Sequence, residues 1–192
     1  MTMLKSLVFS VLAAVLLAGC ETPVEGRQFP EIGFAHQTPI ALNVASVTVE
    51  KPAPSTVKGS VEHELPVTLV TVAERWARQR IKPVGQQGTA VVKIEQAQMV
   101  EERLKKKGGI KGAFTTDQTE RYRATLQMSV SVVDQAGQAQ ARASGNRTRT
   151  VAEDASLADR EKVWFQMVES LSRSVDKVLE EQIRKHMTAY LR

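Results

Sequence analysis

Hydrophobic and polar residues alternate most strictly in "YRATLQMSVSVVD". Tyr122, Ala124, Leu126, Met128, Val130 and Val132 take one parity, while Arg123, Thr125, Gln127, Ser129 and Ser131 take the other. Such a period of two predicts a strand with one buried and one wet face, as in a one-sided antiparallel sheet. Residues 89–104 carry the same period with a slip. Ala90, Val92 and Ile94 share a face, but Ala97 and Met99 fall on the other parity. One extra residue near Glu95-Gln96 would reconcile them, because a bulge switches the face. "IALNVASVTV" (40–49) is rich in β-branched residues and predicts a first strand, ended by Pro52 and Pro54. In "QAQARASGNRTRT", Ala139, Ala141, Ala143 and Gly145 form a stripe of small residues that would let a helix lie close.

Two segments change period. Leu65, Leu69, Val72 and Trp76 recur at helical steps, with Pro66 in a first turn and Pro83 and Gly85 as the stop. Trp164, Val168, Leu171, Val175, Val178, Leu179, Ile183, Met187 and Tyr190 mark a long helix running to the terminus. Ser156, with Asp159 three residues on, reads as its cap. The order β-α-β-β-β-α predicts an α+β two-layer sandwich: a mostly antiparallel four-stranded sheet with both helices on one face. The first crossover makes strands one and two parallel. Trp76 and Trp164, on the apolar stripes, are expected in the core.

The front of the chain is organised differently. Lys5 precedes an apolar run from Leu7 to Val15, broken at Ser10, and small residues lead to Cys20, the single cysteine. This is the layout of a secretory signal, and the run is short for a membrane span of ~20 apolar residues. Leu17-Ala18-Gly19-Cys20 resembles the bacterial lipobox. That resemblance implies cleavage before Cys20 and a mature terminus carrying covalent lipid as three acyl chains. Two or more chains make an anchor stable. Glu21, where an Asp would signal retention in the inner membrane, leans the expected location towards the outer membrane, facing the periplasm. An exported chain with one cysteine has no internal disulfide, so its core must hold it together.

Residues 20–38 are expected to be the acylated cysteine and a flexible tether, in which Pro23, Pro30 and Pro39 interrupt any period. Eighteen such residues would span ~23 Å on average and at most ~60 Å. Residues 39–192 are expected to form a single domain.

Losing residues 1–19, whose one charge is Lys5, lowers the formal net charge of +5 to +4. That mild excess gives no argument for nucleic acid as a partner. His36, His63 and His186 lack a second ligand at helical spacing, and Glu64 beside His63 is expected to point elsewhere, so no metal is expected. No Gly-x-Ser-x-Gly elbow occurs, and Gly108, Gly109 and Gly112 lack phosphate-loop spacing. The chain is therefore expected not to be an enzyme, and to need no cofactor besides the lipid on Cys20. Lys105, Lys106, Lys107 and Lys111 crowd one turn with Arg103. They read either as a charged tip that keeps the fold soluble or as a contact with anionic headgroups or a partner.

The lipobox, the Pro-rich segment, "PIALNVASVTVEKP", "HELPVTLVTVAERWARQRI", "EDASLADREKVWFQMV" and, most specifically, "GAFTTDQ" (112–118) resemble a family of proteobacterial, and among them alphaproteobacterial, lipoproteins with no assigned activity. The order of elements is also similar, in layout only, to the ABC-type transport auxiliary lipoproteins. These resemblances imply a membrane-anchored accessory or binding module with an envelope protein partner, which the second resemblance would make a lipid-transport complex. The alternative is a structural or assembly lipoprotein of the envelope.

Overall fold

The alternating segment is the middle strand of the molecule. In the computed structural model, which describes residues 28–104, 118–134, 137–152 and 154–192, β5 (Gln118–Asp134) lies between β4 (Thr89–Arg103) and β6 (Gly137–Ala152). Both pairings are antiparallel. β2 (Ser46–Glu50) joins the far side of β4 in parallel and completes a four-stranded sheet in the order β2-β4-β5-β6. The register slips between Ile94 and Gln96, so Glu95 is the extra residue that moves the buried parity from Ile94 to Ala97. The helix α1 (Leu69–Arg80) makes the crossover from β2 to β4, and α2 (Leu157–His186) returns after β6. α1 packs over β4 and α2 over β5 and β6, giving the expected two-layer α+β sandwich.

Side-chain periodicity explains which face is covered. Tyr122, Leu126, Met128, Val130 and Val132 of β5 are buried with Ala90, Val92, Ile94 and Met99 of β4. Leu69, Val72 and Trp76 of α1 and Val168, Leu171, Val175, Leu179 and Ile183 of α2 close that layer. Trp76 and Trp164 are both core residues, as expected. Ser156 caps α2, its Oγ accepting from the Asp159 N–H at 3.2 Å.

The small-residue stripe of β6 does what its composition suggests. A Cβ on Gly145 would come within 2.9 Å of Leu171 Cδ1 and 3.2 Å of Val175 Cγ2. Gly145→Val is therefore expected to lift α2 off β6 and destabilise the fold by roughly 1–3 kcal/mol, the usual cost of overpacking. Urea unfolding would measure it, and an unchanged midpoint would show that the helix yields freely.

Four expectations need correction. The strand expected at 40–49 is two strands. β1 (Ile40–Leu42) pairs in parallel with a short β3 (Ile81–Pro83), apart from the main sheet, and β2 starts again at Ser46. Between them Val44 is buried and its carbonyl accepts from the Gly85 N–H at 3.0 Å. Gly85 is needed there, because a Cβ would fall 2.6 Å from the Asn43 carbonyl carbon. The first helix starts later than Pro66, at Leu69, where Thr68 Oγ1 accepts from the Thr71 N–H at 3.2 Å. It also ends at Arg80, because residues 81–83 hydrogen-bond to β1 instead. The last helix stops at His186; a 3-10 turn (Thr188–Tyr190) follows, and Leu191 bridges back to Leu42.

The fourth correction concerns the tether. Ile32 and Phe34 are core residues, 1% and 0% exposed, and Phe29 stacks on Phe165 with ring centroids 5.1 Å apart. Arg75 Nη1 donates to the Ile32 carbonyl at 2.9 Å, and Gln79 Oε1 accepts from the Phe34 N–H at 2.6 Å. Residues 29–38 are thus a strap along the helix layer. Three apolar side chains outweigh the turn chemistry of Pro30 and Pro39 that suggested a loose linker.

Candidate binding surfaces

Cys20, Lys105, Lys106, Lys107 and Lys111 lie outside the described residues. The structure does place the points from which the chain departs towards them. It leaves β4 at Arg103 and re-enters β5 at Gln118, with Arg103 paired to Glu120. The strap begins at the same end of the sheet. Phe29 stacks on Phe165, and the neighbouring Trp164 meets Tyr122 edge-on at 5.3 Å, two residues from Glu120. The route to Cys20 and the route to the lysines therefore start at one end, the Arg103 end.

That end is braced by Glu120. Its carboxylate receives Arg160 Nε at 2.9 Å, Arg160 Nη2 at 3.1 Å and the Tyr122 hydroxyl at 2.7 Å. Burial first, and then the Glu120 hydrogen bond, pushes the Tyr122 phenol well above its usual range. The phenol stays protonated and donates to Glu120 rather than acting as a base. Beside this brace is an open cleft of about 520 Å³, floored by Val61 and ringed by Lys58, Arg103, Glu64 and Glu101. Its two cations and two carboxylates give it no dominant sign of charge.

The face of the sheet away from the helices carries a second cluster, built by the bulge. Glu95 Oε1 accepts from Ser129 Oγ at 2.9 Å and from Arg142 Nη2 at 3.0 Å, and Oε2 accepts from Gln127 Nε2 at 2.5 Å. One carboxylate thus latches β4, β5 and β6 together. Its acceptor sites are occupied by these donors, so it is arranged to hold strands rather than to move a proton. The sequence signal for it was the phase slip itself.

A third cluster is buried between the helices, and sequence reasoning missed it. Asp176 Oδ1 accepts from Trp76 Nε1 at 2.7 Å and Arg80 Nε at 2.9 Å. Arg80 also donates to Glu180 and to the Thr38 carbonyl of the strap. Arg80 falls four residues after Trp76, and Asp176 three before Leu179, so both sit at core phases of their helices. That placement was the available signal.

Among the histidines, Glu64 lies closer to His63 than expected, with Oε1 3.5 Å from Nε2, both side chains being exposed. Among the described residues, no three or more His, Cys, Asp or Glu are gathered to hold a metal ion, and no helix is long and apolar enough to cross a membrane.

No known family profile matches the chain, and no curated protein matches it significantly. Among solved structures it is similar to rare lipoprotein B from Shewanella oneidensis, at 12% identity and a TM-score of 0.38, over 73% of this chain and 95% of that one. It is also similar to a minor lipoprotein from Acinetobacter baumannii, at 11% identity and a TM-score of 0.33, over 76% of this chain and 96% of that one.

Proposed function

We propose that the protein is an envelope lipoprotein, held to the outer membrane through acyl chains on Cys20, whose domain is a non-catalytic binding or accessory module. The observation that carries this reading is Leu17-Ala18-Gly19-Cys20 at the end of a signal-like segment. The strap strengthens it. Seven residues lie between Cys20 and Gln28, the first described residue, a reach of at most ~29 Å over eight Cα–Cα steps. The Arg103 end would then stand next to the bilayer, with the sheet projecting into the periplasm. The non-catalytic reading is supported by how the described carboxylate clusters are used: Glu95, Glu120 and Asp176 each bridge structural elements.

The Cys20→Ser protein is expected to leave the membrane fraction after a high-salt wash, while its domain keeps the melting temperature of the parent. Retention through that wash would sink the anchor. Retention at low salt alone would assign the residual contact to Lys105, Lys106, Lys107 and Lys111, since screening shortens to ~3 Å at 1 M salt. A co-purified lipid in the domain would favour a lipid-handling module. A stable protein partner without lipid would favour an assembly role.

A further inference from the structure

The two edges of the main sheet are treated differently. Beyond β4, the edge is occupied along most of its length. β2 pairs with Thr89 to Lys93, the Val61 N–H donates to the Met99 carbonyl at 3.0 Å, and the Glu101 N–H donates to the Gly59 carbonyl at 2.8 Å. The Glu62 carboxylate accepts from the Met99 N–H. Backbone groups there are satisfied by the chain itself. On the other side, β6 is the terminal strand, 16 residues long, and no described strand pairs with its outer edge. It has no proline and no acidic residue to blunt that edge.

Within β6 the exposure changes. Ala141 and Ala143 are buried under α2, but Asn146, Arg147, Thr148 and Arg149 are exposed on both faces of the strand. Arg147 and Arg149 share the parity of the helix side, opposite Ala124 and Tyr122. Arg147 Nη2 donates to Ser174 Oγ at 2.6 Å, and no carboxylate among the described residues pairs with either guanidinium. Arg142, further along, already holds Glu95.

From this arrangement we infer that residues 144–150 of β6 receive an extended acidic segment of a partner protein, added to the sheet as a fifth strand. Main-chain hydrogen bonds to this edge, which no described strand occupies, supply the binding, and side-chain pairs supply the choice of partner. The added strand carries Asp or Glu at alternate positions, because side chains on one face recur every two residues and would meet Arg147 and Arg149 in turn. A second copy of this chain fits less well. It would set a strand bearing three arginines and no acid against its own like. The inference rests on the binding-module reading but not on the lipid: membrane partition tests the anchor, and strand binding tests this edge.

The probe is a short, fluorescently labelled peptide alternating Glu with Thr and Val, titrated against the full-length protein in detergent. Three results are expected. The peptide binds, the same peptide N-methylated at alternate amides does not, and Arg147→Gln/Arg149→Gln weakens binding by about tenfold, as two lost cross-strand charge pairs would. The double variant should keep the parent melting temperature, both side chains being exposed. Equal binding by the N-methylated peptide would reduce the effect to charge attraction and overturn the inference. So would absence of binding, or a dimer formed through β6 that the peptide does not displace.

Discussion

Replacing Asp176 by alanine is expected to destabilise the fold by ~3–5 kcal/mol, because it breaks a buried ion pair while leaving the cation in place. Arg80 and Asp176 are 1% and 4% exposed, and Trp76 relies on the same carboxylate for its indole N–H. Glu180 remains beside Arg80, 27% exposed, and should hold the loss towards the lower end of that range. The control is Glu169→Ala, which removes an exposed i,i+4 partner of Arg173 and should change stability by less than ~0.5 kcal/mol. Urea unfolding of the two variants makes the comparison. If Asp176→Ala unfolds at the same midpoint as Glu169→Ala, the cluster is not what ties α1, α2 and the strap together.

The same cluster shows why some of the molecule could be read from the residues and some could not. β5 was legible because its residues alternate apolar and polar from Tyr122 to Val132; Ser129, buried on the polar parity, keeps the pattern because its hydroxyl donates to Glu95. The bulge at Glu95 was legible for the same reason, since a phase slip between two clean half-strands has few other causes. The break between β1 and β2 had no such mark. Residues 43–45 contain neither glycine nor proline, and the glycine that permits the break, Gly85, sits opposite in space and forty residues on. Ile81 and Lys82 would continue the helix up to its stop at Pro83, but pairing with β1 claims them, a case of tertiary contacts overriding local preference.

The strap reads as a tether because Pro23, Pro30 and Pro39 break any period, whereas what fixes it is two buried side chains, Ile32 and Phe34, and the partly buried ring of Phe29. Arg80 and Asp176 were missed because an apolar stripe is read by its apolar members, and charges standing in phase with it go uncounted. The two candidate contacts taken from the sequence, Cys20 and the lysine cluster, rest on covalent chemistry and charge density. Neither depends on where a side chain packs. The β6 edge is the reverse: nothing in "GNRTRT" announces the terminal strand of the described sheet until the strand order is known.

The sheet's two faces give the sharpest test of the architecture, because adjacent residues should respond oppositely. Leu126 is 1% exposed and lies between Ala97 of β4 and Gly145 of β6, under the part of α2 that carries Leu171. Leu126→Asp would put a carboxylate among apolar side chains. Such a group either stays protonated or is charged without a partner, at a cost of several kcal/mol, against a usual total stability of ~5–15 kcal/mol. The variant is expected to be unfolded or to lose its cooperative melt. Gln127, one residue on, faces the side away from the helices and donates to Glu95. Gln127→Lys keeps a donor within reach of that carboxylate and adds a cation beside Arg142, so a change below ~1 kcal/mol is expected. Circular dichroism melts of the pair decide the matter. Two similar melting curves would mean that β5 presents its faces the other way, or that the α2 layer does not cover it.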